Sequence, residues 1–198
     1  LVLGLLELYQ TDFDNRWFVA ARLLAEEMLA RFTDTAGGFF DTPDGAEQLL
    51  LRPKDLQDNA VPSGNALATE ALLTLAALTG RTEWQRLAER ALQLVTSLAA
   101  SYPTGFGRWL CAGDVALAKE TQVAVAGDPA DERTMRLVGE VRAAWRPNLV
   151  MAVSPVPPPL GAPELLAGRP MLDGQPTAYV CEGSTCQHPV TRPEDLRR

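Results

Sequence analysis

A nearly continuous apolar run, LATEALLTLAAL at residues 67–78, constrains the fold of this chain more than any other feature. At helical spacing its apolar side chains surround the helix axis, which predicts a helix over 66–79 that is buried on most sides. Gly80 would end that helix in a left-handed conformation. A helix of this kind is typical of the inner layer of a larger helical architecture.

The next helical segment, residues 83–100, is amphipathic. Thr82 and Gln85 form a predicted capping box at its start. The predicted buried face consists of residues at helical spacing: Trp84, Leu87, Ala91, Val95 and Leu98. A buried helix followed by an amphipathic one after a short connection predicts an antiparallel hairpin with an inner and an outer layer.

Two further helices are predicted in the first part of the chain. The segment NRWFVAARLLAEEMLARF, residues 15–32, has an apolar stripe and a charged side on which Leu23 is the one apolar exception. Asp14 or Asn15 would cap its start. The segment GRWLCAGDVALA, residues 107–118, predicts a shorter helix.

The pattern changes near residue 120. A strand-like run at 122–127, a helical run at 131–145 and a second strand-like run at 148–155 follow one another. This order predicts a βαβ unit with a parallel strand pair. The segment TAYVC, residues 177–181, predicts a third strand after a Pro-rich connection, 155–176, that holds at most one helical turn.

Together these segments predict a mainly α fold with a small α/β part. The predicted division is helical hairpins at 1–120 and a βαβ unit with its Pro-rich connection and final strand at 121–198. The first ten residues, LVLGLLELYQ, are apolar but lack the basic residues and cleavage site of a signal peptide. They are typical of the end of a helix. Since the sequence also lacks an initiating Met, we expect the chain to be part of a longer protein.

The charge and the cysteine content limit which partners and which cellular compartment are expected. The net charge is −7, from 18 Lys and Arg against 25 Asp and Glu, and no basic cluster offsets it locally. Nucleic acid and anionic membranes are therefore excluded as expected partners. No apolar run reaches membrane-spanning length. Three cysteines do not fit a secreted disulfide scaffold, so we expect a cytoplasmic protein.

A polar, turn-rich segment, RPKDLQDNAVPSGNA at 52–66, directly precedes the apolar run. Ser63 or Asn65 can cap the helix that follows, and Pro62 keeps Val61 extended. Capping does not account for the charges gathered just before the helix: Arg52, Lys54, Asp55 and Asp58. We therefore interpret this segment as a candidate rim of a binding cavity.

Five acidic residues lie in the loop ahead of the buried helix: Asp41, Asp44, Glu47, Asp55 and Asp58. Two carboxylates about 5–10 Å apart across a pocket can perform glycoside chemistry. Loop acids are more often simply solvated, and that alternative stays open. Ser63 lies in Pro-Ser-Gly-Asn rather than in a hydrolase nucleophile elbow, so the sequence assigns no catalytic residue.

Cys181 and Cys186 enclose four residues, in CEGSTC. With His188 they would be one ligand short of a zinc site. The usual redox motif encloses two residues rather than four. Structural or incidental thiols, a redox pair and a metal site are the alternatives, and we predict no bound metal and no cofactor.

The turn Gly127-Asp128-Pro129 lies where a βαβ unit would bind phosphate. It lacks the Gly-x-Gly-x-x-Gly fingerprint of dinucleotide sites. Asp128 and Asp131 would also repel an anion at the following helix. A structural α/β layer is the better interpretation.

Several motifs resemble one known family. GGFFDTPDG, LLLRPK, DNAVPSGNALA and TAYVCEGSTCQHPVT are similar, in this order, to the C-terminal part of the YyaL-like family, also called spermatogenesis-associated, thioredoxin-domain-containing proteins. The resemblance extends from about Gly37 to Thr191. It implies an N-terminal thioredoxin-like domain as partner, and a helical part similar to the six-hairpin α/α toroids of sugar epimerases and glycosidases. The family's biochemical function is not established.

In such toroids the loops at the ends of inner helices surround a central cavity. The resemblance therefore implies six rim residues as the best candidates for binding a small-molecule sugar: Arg52, Lys54, Asp58, Asn59, Ser63 and Asn65. The only histidine, His188, lies outside the helical part, which does not fit the proton transfer of sugar epimerases. The alternative is a non-enzymatic helical scaffold for a thioredoxin-like domain or another partner. Because missing hairpins would leave apolar surface, we also expect self-association into a homo-oligomer.

Overall fold

A computed structural model describes residues 1–45, 51–118, 120–183 and 185–197. Two compact units emerge. The helical unit comprises residues 1–4, 20–76 and 81–117, and the sheet unit comprises residues 5–19, 77–80 and 118–198, within the described parts of each.

The helices in the described residues follow the predicted order closely. Their bounds are α1 Val2–Asp12, α2 Asn15–Phe32, α3 Gly64–Thr79, α4 Thr82–Ser101, α5 Gly107–Leu117 and α6 Glu132–Arg142. The strands are β1 Thr121–Ala126, β2 Leu149–Ser154, β3 Thr177–Glu182 and β4 Thr185–Cys186. A single 3-10 turn, Glu164–Leu166, lies in the Pro-rich connection. The prediction of a mainly α fold with a small α/β part is confirmed.

The helix α3 is enclosed as its composition predicts. No residue from Asn65 to Thr79 is exposed, and Leu72, Leu75 and Leu78 are fully buried. Ala66, near the start of α3, shares a core cluster with residues from the second half of α4, from the position just before α5 and from α5 itself: Ala91, Val95, Ala99, Phe106 and Trp109. In an antiparallel hairpin the end of the second helix lies beside the start of the first, which explains why Ala66 of α3 clusters with the second half of α4.

The start of α4 differs from the prediction. Thr82 is the first helical residue, and Arg81 occupies the capping position without a side-chain capping bond. The predicted capping box is therefore wrong. Arg81 instead forms an ion pair with Glu26 and lies over the Trp84 ring, so that contacts outside the turn hold the chain at this point.

The buried face of α4 also differs in part. The buried residues are Trp84, Ala88, Ala91, Val95 and Ala99. Leu98, predicted to be buried, is 45% exposed. The helix presents its alanines to the core at spacings of three and four residues, which turns Leu98 toward solvent.

In the sheet unit, the strands lie in the order β2-β1-β3-β4. The pair β1–β2 is parallel and α6 lies between them in sequence, which is the predicted βαβ unit. The pair β1–β3 is antiparallel. The strands β1 and β2 are largely apolar and pack with α6 into one core, in which Val123, Val125, Leu137, Val138 and Val153 are buried.

The outer edge of β2 is occupied by a side chain. The backbone N–H of Met151 donates to the Gln10 side-chain oxygen at 2.8 Å. The Arg142 guanidinium contacts the Gln10 and Thr11 carbonyls and lies over the Phe13 ring. These contacts attach residues 10–13 to the βαβ unit.

Candidate functional site

The six rim residues lie in or next to the loop between α2 and α3, and Lys54 is tied into its interior. Its Nζ is 2.6 Å from Asp34 Oδ2 and 2.9 Å from the Gly37 carbonyl. The Lys54 ammonium, and then the Ala36 N–H, hold the pKa of the Asp34 carboxyl below its usual range. Lys54 therefore joins the end of the loop to its beginning.

Arg52 likewise joins two parts of the same loop. Its guanidinium donates to the Asp44 carboxylate and to the Thr42 carbonyl. It also stacks over the Phe40 ring, with its central carbon 4.0 Å from the ring centre. A stacked, ion-paired guanidinium is positioned in a fixed geometry.

Asp58 and Ser63 organise the beginnings of two helices. Asp58 accepts from Ser63 N at 2.7 Å and from Arg108 N, in the first turn of α5, at 2.8 Å. The Ser63 hydroxyl donates to the Asp55 carbonyl and accepts from Ala66 N at 3.4 Å. Of the two predicted caps for α3, Ser63 is therefore the one observed.

Asn65 is the most deeply placed rim residue, with 1% of its surface exposed. Its Oδ1 accepts from Phe39 N at 2.7 Å, and its Nδ2 donates to the Phe39 carbonyl at 2.8 Å. Nδ2 also donates to the Asp55 carbonyl at 3.2 Å. Gly38 makes this approach feasible, because a Cβ there would lie 2.8 Å from Asn65 Oδ1.

Asn59 is exposed, and its backbone N–H donates to the Val61 carbonyl. Among the predicted loop acids, Asp41 accepts from Asp55 N and Asp55 from Gln57 N, so both stabilise the loop backbone. Glu47 lies outside the described residues. Five of the six rim side chains, all but Asn59, therefore form hydrogen bonds within the helical unit itself.

An ion pair that the sequence analysis missed lies beside these rim residues. Arg108 Nη2 is 2.6 Å from Glu70 Oε2, with 34% and 20% of the two side chains exposed. The backbone N–H of Arg108 is the group that Asp58 accepts from, so both carboxylates contact one residue. The sequence signal for this pair was Glu70, because it is the one charged residue of the helix α3.

The start of α6 has the acidic character that the sequence predicts. The Asp131 side chain accepts from Arg133 N and caps the helix, and Asp128 accepts from Ala130 N. At Gly127 a Cβ would lie 2.5 Å from Thr134 Oγ1, so this glycine permits close packing. The carboxylates of Asp128 and Asp131 therefore lie where an anion would bind, and the turn has a structural role.

Cys181 and Cys186 are joined by a disulfide between β3 and β4. Cys181 is 3% exposed, whereas Cys186 is exposed. Arg169 Nη2 lies 3.6 Å from Cys181 Sγ. Cys111 is a free, exposed thiol. Across the described residues no group of three or more His, Cys, Asp or Glu side chains is placed to hold a metal ion.

With the geometry established, comparison with known proteins identifies relatives along the whole chain. The sequence is 29% identical over 208 aligned residues to spermatogenesis-associated protein 20 of Homo sapiens. Identity to the proteins of the same name from Rattus norvegicus and Mus musculus is 28% and 27%. These matches support the resemblance predicted from the sequence. The chain spans 26% of the length of these relatives, and no family model matches it.

Among the helices in the described part of the chain, none combines the length and the apolar character needed to cross a bilayer.

Proposed function

We propose that the helical unit binds a sugar or a similar polyhydroxylated small molecule at the Glu70–Arg108 pair. The observation that carries the proposal is a half-buried carboxylate and guanidinium, 2.6 Å apart, on two helices that begin at the rim. A buried charge is costly unless it is paired and hydrogen-bonded, which the contact between Glu70 and Arg108 provides. Here both charges remain partly accessible.

The pair offers the chemistry that recognises sugar hydroxyls. Glu70 can only accept hydrogen bonds, while Arg108 supplies donors in a planar fork. Neighbouring hydroxyls of one ring can therefore donate to the carboxylate and accept from the guanidinium. Because the pair is partly removed from solvent, such charge-assisted bonds are stronger than at an exposed surface.

The rim residues would then position this site. Asp58 fixes the first turn of α5 and hence Arg108, while Ser63 caps α3 ahead of Glu70. Exposed Asn59 would contact the ligand directly. The resemblance supports this arrangement, because loops at inner-helix ends surround the cavity in α/α toroids, of which this chain would provide the last hairpins.

Titration calorimetry with a panel of mono- and disaccharides tests the proposal. We expect Glu70→Gln and Arg108→Gln to weaken binding at least about tenfold, since a hydrogen bond to a charged group contributes about 1.5–3 kcal/mol. The matched controls are Glu27→Gln and Arg31→Gln, which break an exposed ion pair on α2. The proposal fails if no sugar binds, or if all four variants bind alike.

A second candidate function is a helical scaffold that holds a partner domain. A groove of 720 Å³ between α4 and α5 favours it. The apolar lining includes Leu92, Ala99, Trp109, Leu110 and Leu117. Leu110 and Leu117 are 49% and 90% exposed. Exposed apolar surface of this kind is typical of protein interfaces.

The expected occupant is an apolar helix face of the thioredoxin-like domain that the resemblance implies. Glu89 and Asp114 border the groove, so basic residues should flank that face. Leu110→Asp should abolish binding of the domain, whereas Leu23→Asp, at a 53% exposed position on α2, should not. Equal affinity of the two variants for the domain would exclude the groove as its binding surface.

A further inference from the structure

The disulfide in the sheet unit is placed at the margin of the sheet. Cys181 and Cys186 are directly opposite each other in the register of β3 and β4, with Cα atoms 3.9 Å apart. The strand β4 is two residues long and terminal in the sheet order. A cross-link between residues five apart restricts little of the unfolded chain, and long loops are where cross-links stabilise most. Stabilisation is therefore a weak explanation for this bond.

The two sulfurs belong to residues in different environments. Cys181 is buried at 3% exposure, while Cys186 and its neighbours Thr185 and Gln187 are exposed. An external thiolate therefore reaches the Cys186 side of the bond. Attack there makes Cys181 the leaving group, since exchange breaks the bond to the sulfur that is not attacked.

A fixed positive charge lies beside the leaving sulfur. Arg169 Nη2 is 3.6 Å from Cys181 Sγ, and the same guanidinium donates to the Leu165 carbonyl and lies 5.7 Å over the Tyr179 ring. Burial lowers the pKa of the Arg169 guanidinium, which nevertheless stays protonated because arginine titrates far above neutral pH. A cation at this distance stabilises a thiolate over a thiol.

The nearby acidic groups do not cancel this charge. Glu182 follows Cys181 directly in β3, so its side chain points to the opposite face of the sheet. Glu120 lies before β1, where burial raises the pKa of its carboxyl. His188 is exposed beyond β4, with its ring nitrogen beside the Pro189 carbonyl. Among the described residues, Arg169 is the charged side chain that lies within hydrogen-bond distance of the Cys181 sulfur.

We propose that Cys181–Cys186 is a redox-active disulfide that exchanges with a dithiol substrate, with Arg169 holding Cys181 as the departing thiolate. A thiolate of the dithiol attacks Cys186 Sγ, a mixed disulfide forms, and the Cys181–Cys186 bond breaks with its electron pair on Cys181. The second thiolate of the substrate then attacks its own sulfur in the mixed disulfide and releases Cys186. Two electrons pass from the dithiol to the protein, and the two protons of the dithiol are taken up by the protein cysteines or released to solvent. This proposal is independent of sugar binding and of the scaffold role.

Dithiothreitol serves as the dithiol, with the whole chain as the protein. After quenching with iodoacetamide, mass spectrometry should show one label, on Cys111, in the oxidised form and three in the reduced form. We expect Arg169→Gln to slow reduction about threefold, from a Brønsted coefficient of about 0.5 and a pKa change of about one unit in the leaving thiol. Arg133→Gln, which breaks an exposed ion pair in the same unit, should reduce at the wild-type rate.

The thiolate itself gives a second readout. In a Cys111→Ser, Cys186→Ser background, which leaves Cys181 as the one thiol, absorbance at the thiolate band should show a Cys181 pKa about one unit below the ordinary value near 8.5. Arg169→Gln should raise the Cys181 pKa. Arg169→Lys also removes the guanidinium but keeps the positive charge, so it should keep the Cys181 pKa low and separates the effect of charge from any effect on folding. An ordinary or raised Cys181 pKa in the parent background overturns the proposal. So do three free thiols in the untreated protein, or equal reduction rates for Arg169→Gln and Arg133→Gln.

Discussion

Replacing Asn65 by Ala should destabilise the helical unit more than any other single change at the rim. The amide makes three hydrogen bonds, two to the backbone of Phe39 and one to the Asp55 carbonyl. Phe39 is 5% exposed, so the substitution leaves its N–H and carbonyl buried without these partners. At about 1 kcal/mol net for each lost bond, and more where a buried group stays unsatisfied, the loss is about 3–4 kcal/mol. Domains of ordinary stability unfold at a cost of about 5–15 kcal/mol.

Urea unfolding and native-state hydrogen exchange measure this loss at two levels. Because the chain forms two compact units, the exchange rate of the Phe39 amide gives the more local value. We expect that amide to exchange at least about 30-fold faster in Asn65→Ala, corresponding to about 2 kcal/mol or more. Asn59→Ala, at an exposed position of the same loop, should change stability by less than about 0.5 kcal/mol. Similar values for the two variants would refute the role of Asn65 as the internal link of the loop.

Three further predictions follow from charge and exposure. Because Lys54 lowers the pKa of Asp34, their contact stabilises the fold above pH 4, and this contribution is lost as the pH falls through the lowered pKa. In Lys54→Met, NMR titration of the carboxyl groups should show the Asp34 pKa back in its usual range. Burial raises the pKa of the Tyr9 hydroxyl above its ordinary value of 10.0, so the free energy of unfolding should fall by about 1.4 kcal/mol per pH unit above pH 10. In Tyr9→Phe, the free energy of unfolding should not show this contribution to its decrease at alkaline pH. Light scattering should show self-association of the isolated chain, which Leu110→Asp reduces and Leu23→Asp leaves intact; a monomer at all concentrations would contradict it.

The helices could be predicted because their apolar periodicity is a local property. The segment 15–32 matches α2 residue for residue, and the nearly continuous apolar run at 67–78 lies in a part of α3 without exposed positions. The face of α4 was harder, since counting large apolar residues selected Leu98, while the core accepts the smaller Ala88 and Ala99. Close helix packing favours alanine at contact positions, and the sequence alone does not show how near the neighbouring helix lies.

The segment 52–66 could be singled out from sequence, but the hydrogen-bond partners of its side chains could not be predicted. Turn residues and charges marked the segment 52–66, yet nothing in it indicates that Lys54 bonds to Asp34 or that Asn65 bonds to Phe39. Such bonds join residues 20 and 26 positions apart, and their partners are decided by how the loop folds back. Glu70 and Arg108 are 38 positions apart in sequence, and the fold brings them together in an ion pair between α3 and α5.

The bond from Met151 N–H to the Gln10 side chain has a consequence for strand pairing at the edge of the sheet unit. An uncovered edge strand is a template on which another chain can add a strand, the first step toward domain swapping and fibrils. Gln10 occupies that template with a single amide oxygen. A shortened protein beginning after Gln10, or a Gln10→Ala variant, should therefore seed ordered aggregates that bind thioflavin T, at temperatures where the helices remain folded.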